Sequence, residues 1–257
     1  MVRLDDMAVT FRGPVTTYDA LDPLSWPGAV ARAPRLARAS TKFSVKNARF
    51  FAGYAVDARK VPLSWSPPGR VFAAVHPTSG WVLTEEGPAT SWGEWGTGAE
   101  FRAQFRPLSS RGSVDLRAPG SIRAEVGEGG PGALALATDA GLTVLPADWR
   151  RQAGDGTYDV VLPASNVALA RARREARAAL TVDRASAWRA ADMVGMMLQG
   201  TAQLFSLEHT TRGRVALRER LGSHDPGLAL IRLRPDRAIW WQGWESGTVN
   251  AVSGTAS

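Results

Sequence analysis

Four polar residues in one short stretch have the chemistry to hold a phosphate: Ser165, Asn166, Arg171 and Arg174. They belong to SNVALARARREA, whose alanine, leucine and arginine predict a helix body over Val167–Ala176 capped by Ser165 or Asn166. Free amides and the dipole at a helix start favour an anion. The two side chains add hydrogen bonds, and arginine forks add charge-assisted ones. The same arginines would also serve as a solvated helix face.

Tryptophan is the second unusual feature, with 10 in 257 residues. Trp240, Trp241 and Trp244 cluster, and Trp149 closes an extended run. In a strand Trp240 and Trp241 point to opposite faces, whereas Trp240 and Trp244 share one. Such rings could stack on an isoalloxazine or a porphyrin, or pack in a core or dimer interface.

Other chemistry is sparse. There is no cysteine, hence no disulfide, thiolate metal site or thiol nucleophile. No G-x-S-x-G, Walker-A loop or H-E-x-x-H occurs, so no catalytic residue and no metal site is assigned. The histidines are His76, His209 and His224. Glu208 and His209 are adjacent and would face opposite ways in a strand. His209 and His224 flank a predicted helix and are the candidates for an axial haem ligand. GEGGPG (127–132) matches G-x-G-x-x-G, but Pro131 and the extended ALALAT after it do not suit a dinucleotide loop, so it reads as a flexible connector.

The elements around these residues are mostly strands. Ala133–Thr138, Leu142–Trp149 and Thr157–Leu162 read as extended, with Pro146 demanding an edge or bulge. After the helix, Arg177–Asp183 and Met193–Leu207 return to strand, with Gly195 and Gly200 as bulge or bend points. Thr210–Leu221 reads as a helix closed by Gly222. Leu228–Arg234 and Ala238–Trp244 read as strands separated at Pro235.

This order and its wording, in LAT-turn-TVLPADW, GTYDVVLPAS, ALARARREARAALTVD, MLQGTAQL and LALIRLRPDRAIWWQGW, resemble the pyridoxamine 5′-phosphate oxidase-like family over about residues 132–249. The resemblance implies a mainly β (α+β) fold, an antiparallel FMN-binding split β-barrel. It implies a homodimer binding FMN, a deazaflavin or haem between subunits, with a small-molecule redox substrate. Backbone groups of Val144, Leu145, Pro146 and Ala147 would border the ring, Ser165, Asn166, Arg171 and Arg174 would hold the phosphate, and Trp149, Trp240 or Trp244 would close the cleft. Aligned on ALTVD, the family's phosphate-binding lysine falls at about Ala168 and is missing here. That departure brings forward haem, or a cofactor-free dimerisation module.

Residues 1–126 form a separate β-rich region. Residues 1–40 carry four prolines, with a short helix over Gly28–Ala39 that Pro34 would interrupt. Phe43–Val56 alternates weakly, Lys60–Trp65 precedes a turn, and Arg70–Val75 with Trp81–Thr84 reads as a hairpin. Ser113–Val126 reads as one or two strands. KVPLSW-turn-GRVFAAV resembles TVLPADW-loop-GTYDVVL, so a degenerate second barrel is one reading of this region. The tail, 250–257, is expected to fray.

The net charge of +7 is carried by arginine. Arginine and alanine enrichment is what a GC-rich genome produces; an anionic cofactor or nucleic acid is the alternative. Nucleic acid would want a basic stripe with interleaved aromatics, and the arginines are scattered over several elements. The start MVRLDDMAVTF lacks a signal-peptide core, and no apolar run reaches the ~20 residues that span a bilayer. The sequence therefore predicts a cytoplasmic protein without a membrane partner.

Overall fold

The computed structural model describes residues 1–4, 7–19, 22–57, 59–60, 71–84, 87–93, 118–138, 141–152, 156–170, 172, 175–184, 189–206 and 228–250. The predicted helix at Thr210–Leu221, His209, His224, Arg171, Arg174, the tail after Asn250 and nearly all of Lys60–Trp65 lie outside them.

The chain opens with strands β1 (Val2–Leu4), β2 (Met7–Arg12) and β3 (Val15–Asp19). Helices α1 (Trp26–Ala31), α2 (Ala33–Lys46) and α3 (Ala48–Val56) follow. The helical run is interrupted at Pro34 as expected: α1 ends at Ala31 and α2 starts afresh at Ala33, with Pro34 in its first turn, where the missing N–H has no partner to lose. The weak alternation of Phe43–Val56 is helical, because Phe43 and Phe51 meet across the α2–α3 break at 5.8 Å.

Then come β4 (Val71–Val75), β5 (Ser79–Thr84), β6 (Gly87–Trp92) and helix α4 (Gly120–Val126). The predicted hairpin is not formed. Among the described strands β4 pairs with β3 alone, whereas β5 lies between β2 and β6 in a sheet ordered β1-β2-β5-β6. The described residues of this region form no second barrel. The described part of Ser113–Val126 is helical rather than extended; Ile122 and Val126, four apart on one face, are its buried residues.

The rest is a barrel: β7 (Gly129–Thr138), β8 (Gly141–Arg151), β9 (Tyr158–Pro163), helix α5 (Ala164–Leu169), β10 (Glu175–Arg184), β11 (Val194–Ser206), β12 (Leu228–Gln242) and β13 (Glu245–Asn250). The sheet runs β11-β10-β7-β8-β9-β12-β13, and β11 also pairs with β12, which closes six antiparallel strands into a ring. Gly129–Gly132 belong to the β7–β8 ladder, so those four of the six residues in the glycine-rich stretch are strand rather than connector.

Pro235 does not divide two strands. β12 runs through it, and the ladder to β11 shifts register between Gln199 and Gly200, with Pro235 opposite Gly200. The outer edge of β12 changes partner at the same place, from β9 (through Leu233) to β13 (from Arg237). A proline fits because no continuous ladder needs its N–H there. Gly200 fits because a Cβ would lie 2.0 Å from the Arg234 carbonyl oxygen. Pro146 is likewise accommodated, since the β9 side of β8 is paired only from Asp148 onward.

Alternate residues of each strand fill the barrel: Leu134 and Leu136, Leu145 and Trp149, Tyr158, Val160 and Leu162, Leu180 and Val182, Met196 and Leu198, Ile231 and Leu233 are all buried in one cluster. α5 closes the end where β9 finishes and β12 begins, with Val167 and Ala170 buried. α4 packs Ile122 and Val126 against β10, β11 and β12. The N-terminal sheet shares this core through Ala8, Trp81 and Leu83, and the Thr10 hydroxyl donates to the Val144 carbonyl at 2.6 Å. Helix α3 is tied down by Asp57, which accepts both arms of Arg189 at 2.6 and 3.2 Å.

On the outer barrel wall, Asp159 is 1% exposed and faces Arg232 directly across the β9–β12 ladder. It accepts two hydrogen bonds from that guanidinium, at 2.5 and 2.7 Å, and one from Gln152 at 2.6 Å. Full satisfaction of the carboxylate is what makes its burial tolerable.

Candidate ligand site at the α5 end of the barrel

Helix α5 is six residues long, less than the sequence predicts. It starts after Pro163, which holds the N-cap position without a side-chain cap, so Ser165 and Asn166 are inside the helix rather than capping it. It stops at Leu169 because the chain must extend again: Ala172 bridges Thr138, and β10 begins at Glu175 to pair with β7 and β11. Helix propensity at Ala172, Glu175 and Ala176 is overridden by that pairing. So short a helix has little dipole, and the weight falls on its side chains.

Those side chains are unusual. Asn166 is completely buried, and neither its Nδ2 nor its Oδ1 has a hydrogen-bond partner. Each buried polar group left unsatisfied costs about 1–3 kcal/mol, so such a residue calls for an occupant that bonds to it. Ser165 beside it is exposed, and its hydroxyl fills the space over Gly87, where a Cβ would come within 2.5 Å of Oγ. Thr143, at the same barrel end on the inward face of β8, also buries a hydroxyl without a partner. The sequence reading missed Thr143 and Gly87. Thr143 was legible as the one polar member of the inward set Thr143, Leu145, Ala147 and Trp149.

The residues expected around a ring are dispersed. Leu145 is fully buried inside the barrel, and Trp149 is buried there against Tyr158, ring centroids 5.8 Å apart. Burial also pushes the Tyr158 hydroxyl above its ordinary pKa, which keeps it neutral. Val144 has its carbonyl engaged by Thr10, while Pro146 and Ala147 are half-buried.

Trp240 and Trp241 do point to opposite faces, and each ring covers a glycine directly across the ladder. Trp240 lies over Gly247 and Trp241 over Gly195. Trp92 lies over Gly80 in the same way on the N-terminal sheet. In these three pairs an added Cβ would meet ring atoms at 2.5, 2.2 and 2.1 Å respectively. Gly195 is thus a seat for a ring rather than a bulge. Trp244 does not share a strand face with Trp240: Gly243 (φ +57°) turns the chain between them.

Ser165 and Asn166 sit where β12 begins, opposite Pro163, and Trp240 is twelve residues further along that strand. At about 3.3 Å per residue the separation along β12 reaches roughly 40 Å. One copy of the chain therefore does not bring the two groups to a single ligand. Its polar end suits a phosphate; a wall for the ring is not formed beside it by Trp149, Trp240 or Trp244.

Among the described residues no group of three His, Cys, Asp or Glu is placed to hold a metal ion, and His76 is exposed. No helix among them is long and apolar enough to cross a membrane.

No family model matches the chain, and no curated protein matches it. Solved structures similar to it include a haem-binding protein from Mycobacterium smegmatis, at 16% identity and TM-score 0.36, covering 57% of this chain and 60% of that one. A protein from Clostridium acetobutylicum, related to general stress protein 26 and assigned to the pyridoxinephosphate oxidase family, gives 16% identity and TM-score 0.33, covering 51% and 89%. A candidate pyridoxamine 5′-phosphate oxidase from Corynebacterium glutamicum gives 8% and 0.35, covering 53% and 98%. The chain thus spans 60% of the length of the haem-binding protein. At such scores the barrel assignment rests on this chain's own ladders.

Proposed function

We propose that the chain is a homodimeric flavin-binding split-barrel protein that holds the phosphate of FMN at the α5 end of its barrel. The observation that carries this reading is Asn166, wholly buried with both polar ends unpartnered beside the exposed hydroxyl of Ser165. An amide that can donate and accept, a serine hydroxyl, and the basic residues Arg171 and Arg174 close by in sequence make a donor set suited to a phosphate monoester. Because Trp240 and Trp244 lie at the far end of the same copy, they border the ring only when supplied by a second copy, which makes dimerisation a condition of binding.

Bound FMN would supply hydride or electron transfer, while this chain supplies orientation and excludes water. No residue is assigned to move a proton. A deazaflavin carries the same flat ring and anionic tail. Haem, or no cofactor at all, is the alternative left by the missing lysine near Ala168.

The test is the absorbance spectrum of the protein as isolated, followed by titration with FMN. Flavin bands are expected, as is a dissociation constant at least about tenfold weaker for Asn166→Leu, the loss of roughly one hydrogen bond. The same substitution should raise the stability of the cofactor-free protein by about 1–2 kcal/mol, since it removes two orphaned polar groups. A Soret band in place of flavin bands would establish the haem alternative. A colourless protein indifferent to FMN would establish the interaction module.

A further inference from the structure

The three helices after β3 are placed in a way the barrel does not require. From Trp26 to Val56 there are six basic residues and no acid, so this segment holds +6 against +7 for the whole chain. The flanking acids are Asp22, which caps the turn before α1, and Asp57, which is committed to Arg189. Neither α1 nor α2 buries a single residue. On α2, Arg35, Arg38, Lys42 and Lys46 are spaced three, four and four apart and so form one stripe along the helix. Large apolar side chains stand exposed around them: Leu24 (91%), Val30 (74%), Val45 (72%) and Val56 (72%), with Trp26 and Phe43 about half exposed.

We infer that the α1–α3 segment is a peripheral docking surface for a lipid bilayer bearing anionic headgroups. Charge complementarity and apolar exposure together select this occupant. A second copy would present the same +6 and be repelled. A nucleic acid would neutralise the stripe but gain nothing from Leu24, Val30, Val45 and Val56, which have no groove edge to fill. A bilayer interface rewards both, basic side chains at the headgroups and apolar ones at the acyl boundary. The expectation of no membrane partner rested on spanning segments alone and does not bear on a surface-lying helix. The inference is independent of the flavin reading, since the segment shares no residue with the α5 site.

The experiment is co-sedimentation of the full chain with vesicles. Binding is expected to phosphatidylcholine vesicles that contain phosphatidylglycerol, little to phosphatidylcholine alone, with release as salt shortens the Debye length. Arg38→Glu with Lys42→Glu should weaken binding at least about tenfold, and so should Leu24→Ser with Val30→Ser. All four side chains are on the surface, and an unchanged circular dichroism spectrum shows that the fold is kept. Failure to sediment with anionic vesicles overturns the inference. So does full retention by the charge-reversed variant, or unchanged vesicle binding by Leu24→Ser with Val30→Ser, which would leave the basic stripe without an acyl contact and assign it to a purely polyanionic partner.

Discussion

Replacing Gly195 with alanine should destabilise the barrel, although local strand preference predicts the reverse. In a strand interior alanine is favoured over glycine by about 0.5–1 kcal/mol, because glycine loses more backbone freedom on folding. Here the new methyl would lie 2.2 Å from Cζ2 and 2.4 Å from Cε2 of Trp241. Non-bonded carbons sit at about 3.5–4.0 Å, so the indole must move by more than about 1 Å. Overpacking of this kind costs about 1–3 kcal/mol, which exceeds the propensity gain and leaves a net loss of about 1–2 kcal/mol. Urea unfolding followed by far-ultraviolet circular dichroism measures it, and a Trp241→Ala background isolates the cause. There the alanine at position 195 should cost nothing or stabilise slightly, giving a coupling of at least about 1 kcal/mol. If Gly195→Ala matches the parent in stability, or costs as much without the indole as with it, the ring-over-glycine account is wrong.

Asp159→Ala should cost about 3 kcal/mol in the same assay, because it strips the acceptor from Arg232 and Gln152 on the barrel wall; the partial exposure of Arg232 holds the loss at the lower end for a broken buried pair. Hydrogen bonding to Arg189 holds the Asp57 carboxyl below its ordinary pKa, so its stabilising contribution is complete above the ordinary carboxylate range and disappears as pH falls through the lowered value. Acid unfolding of Asp57→Asn should accordingly depend less on pH below about 4 than that of the parent, and an unchanged profile would count against the tie between α3 and Arg189, in the segment that leads into β11. Asn166→Leu should stabilise the cofactor-free chain while weakening FMN binding, and a variant that does neither removes the case for the α5 site.

Local pattern alone located most of the described strands of the back half. Ala133–Thr138, Leu142–Trp149 and Thr157–Leu162 were legible as strands, and each lines a filled barrel on one face, with Leu134 and Leu136, Leu145 and Trp149, and Tyr158, Val160 and Leu162 pointing inward. Pro146 and Gly200 announced an open edge and a register shift, since each lacks something a regular ladder needs. The phosphate-suited pair Ser165 and Asn166 was also readable, as residue types.

What the linear order could not settle is where pairing partners compete. The helix ends at Leu169 rather than Ala176 because β10 is needed between β7 and β11, a long-range demand that outweighs alanine and arginine propensity. β4 and β5 separate into different sheets although a turn signal joins them, because β2 and β3 are the better-placed partners. The tryptophans count as possible ring walls in a one-dimensional reading; only the register shows that three of them face glycines across a ladder. Side-chain chemistry is local and survives in the sequence, whereas burial, register and the distance along β12 between Asn166 and Trp240 exist only once the strands have closed.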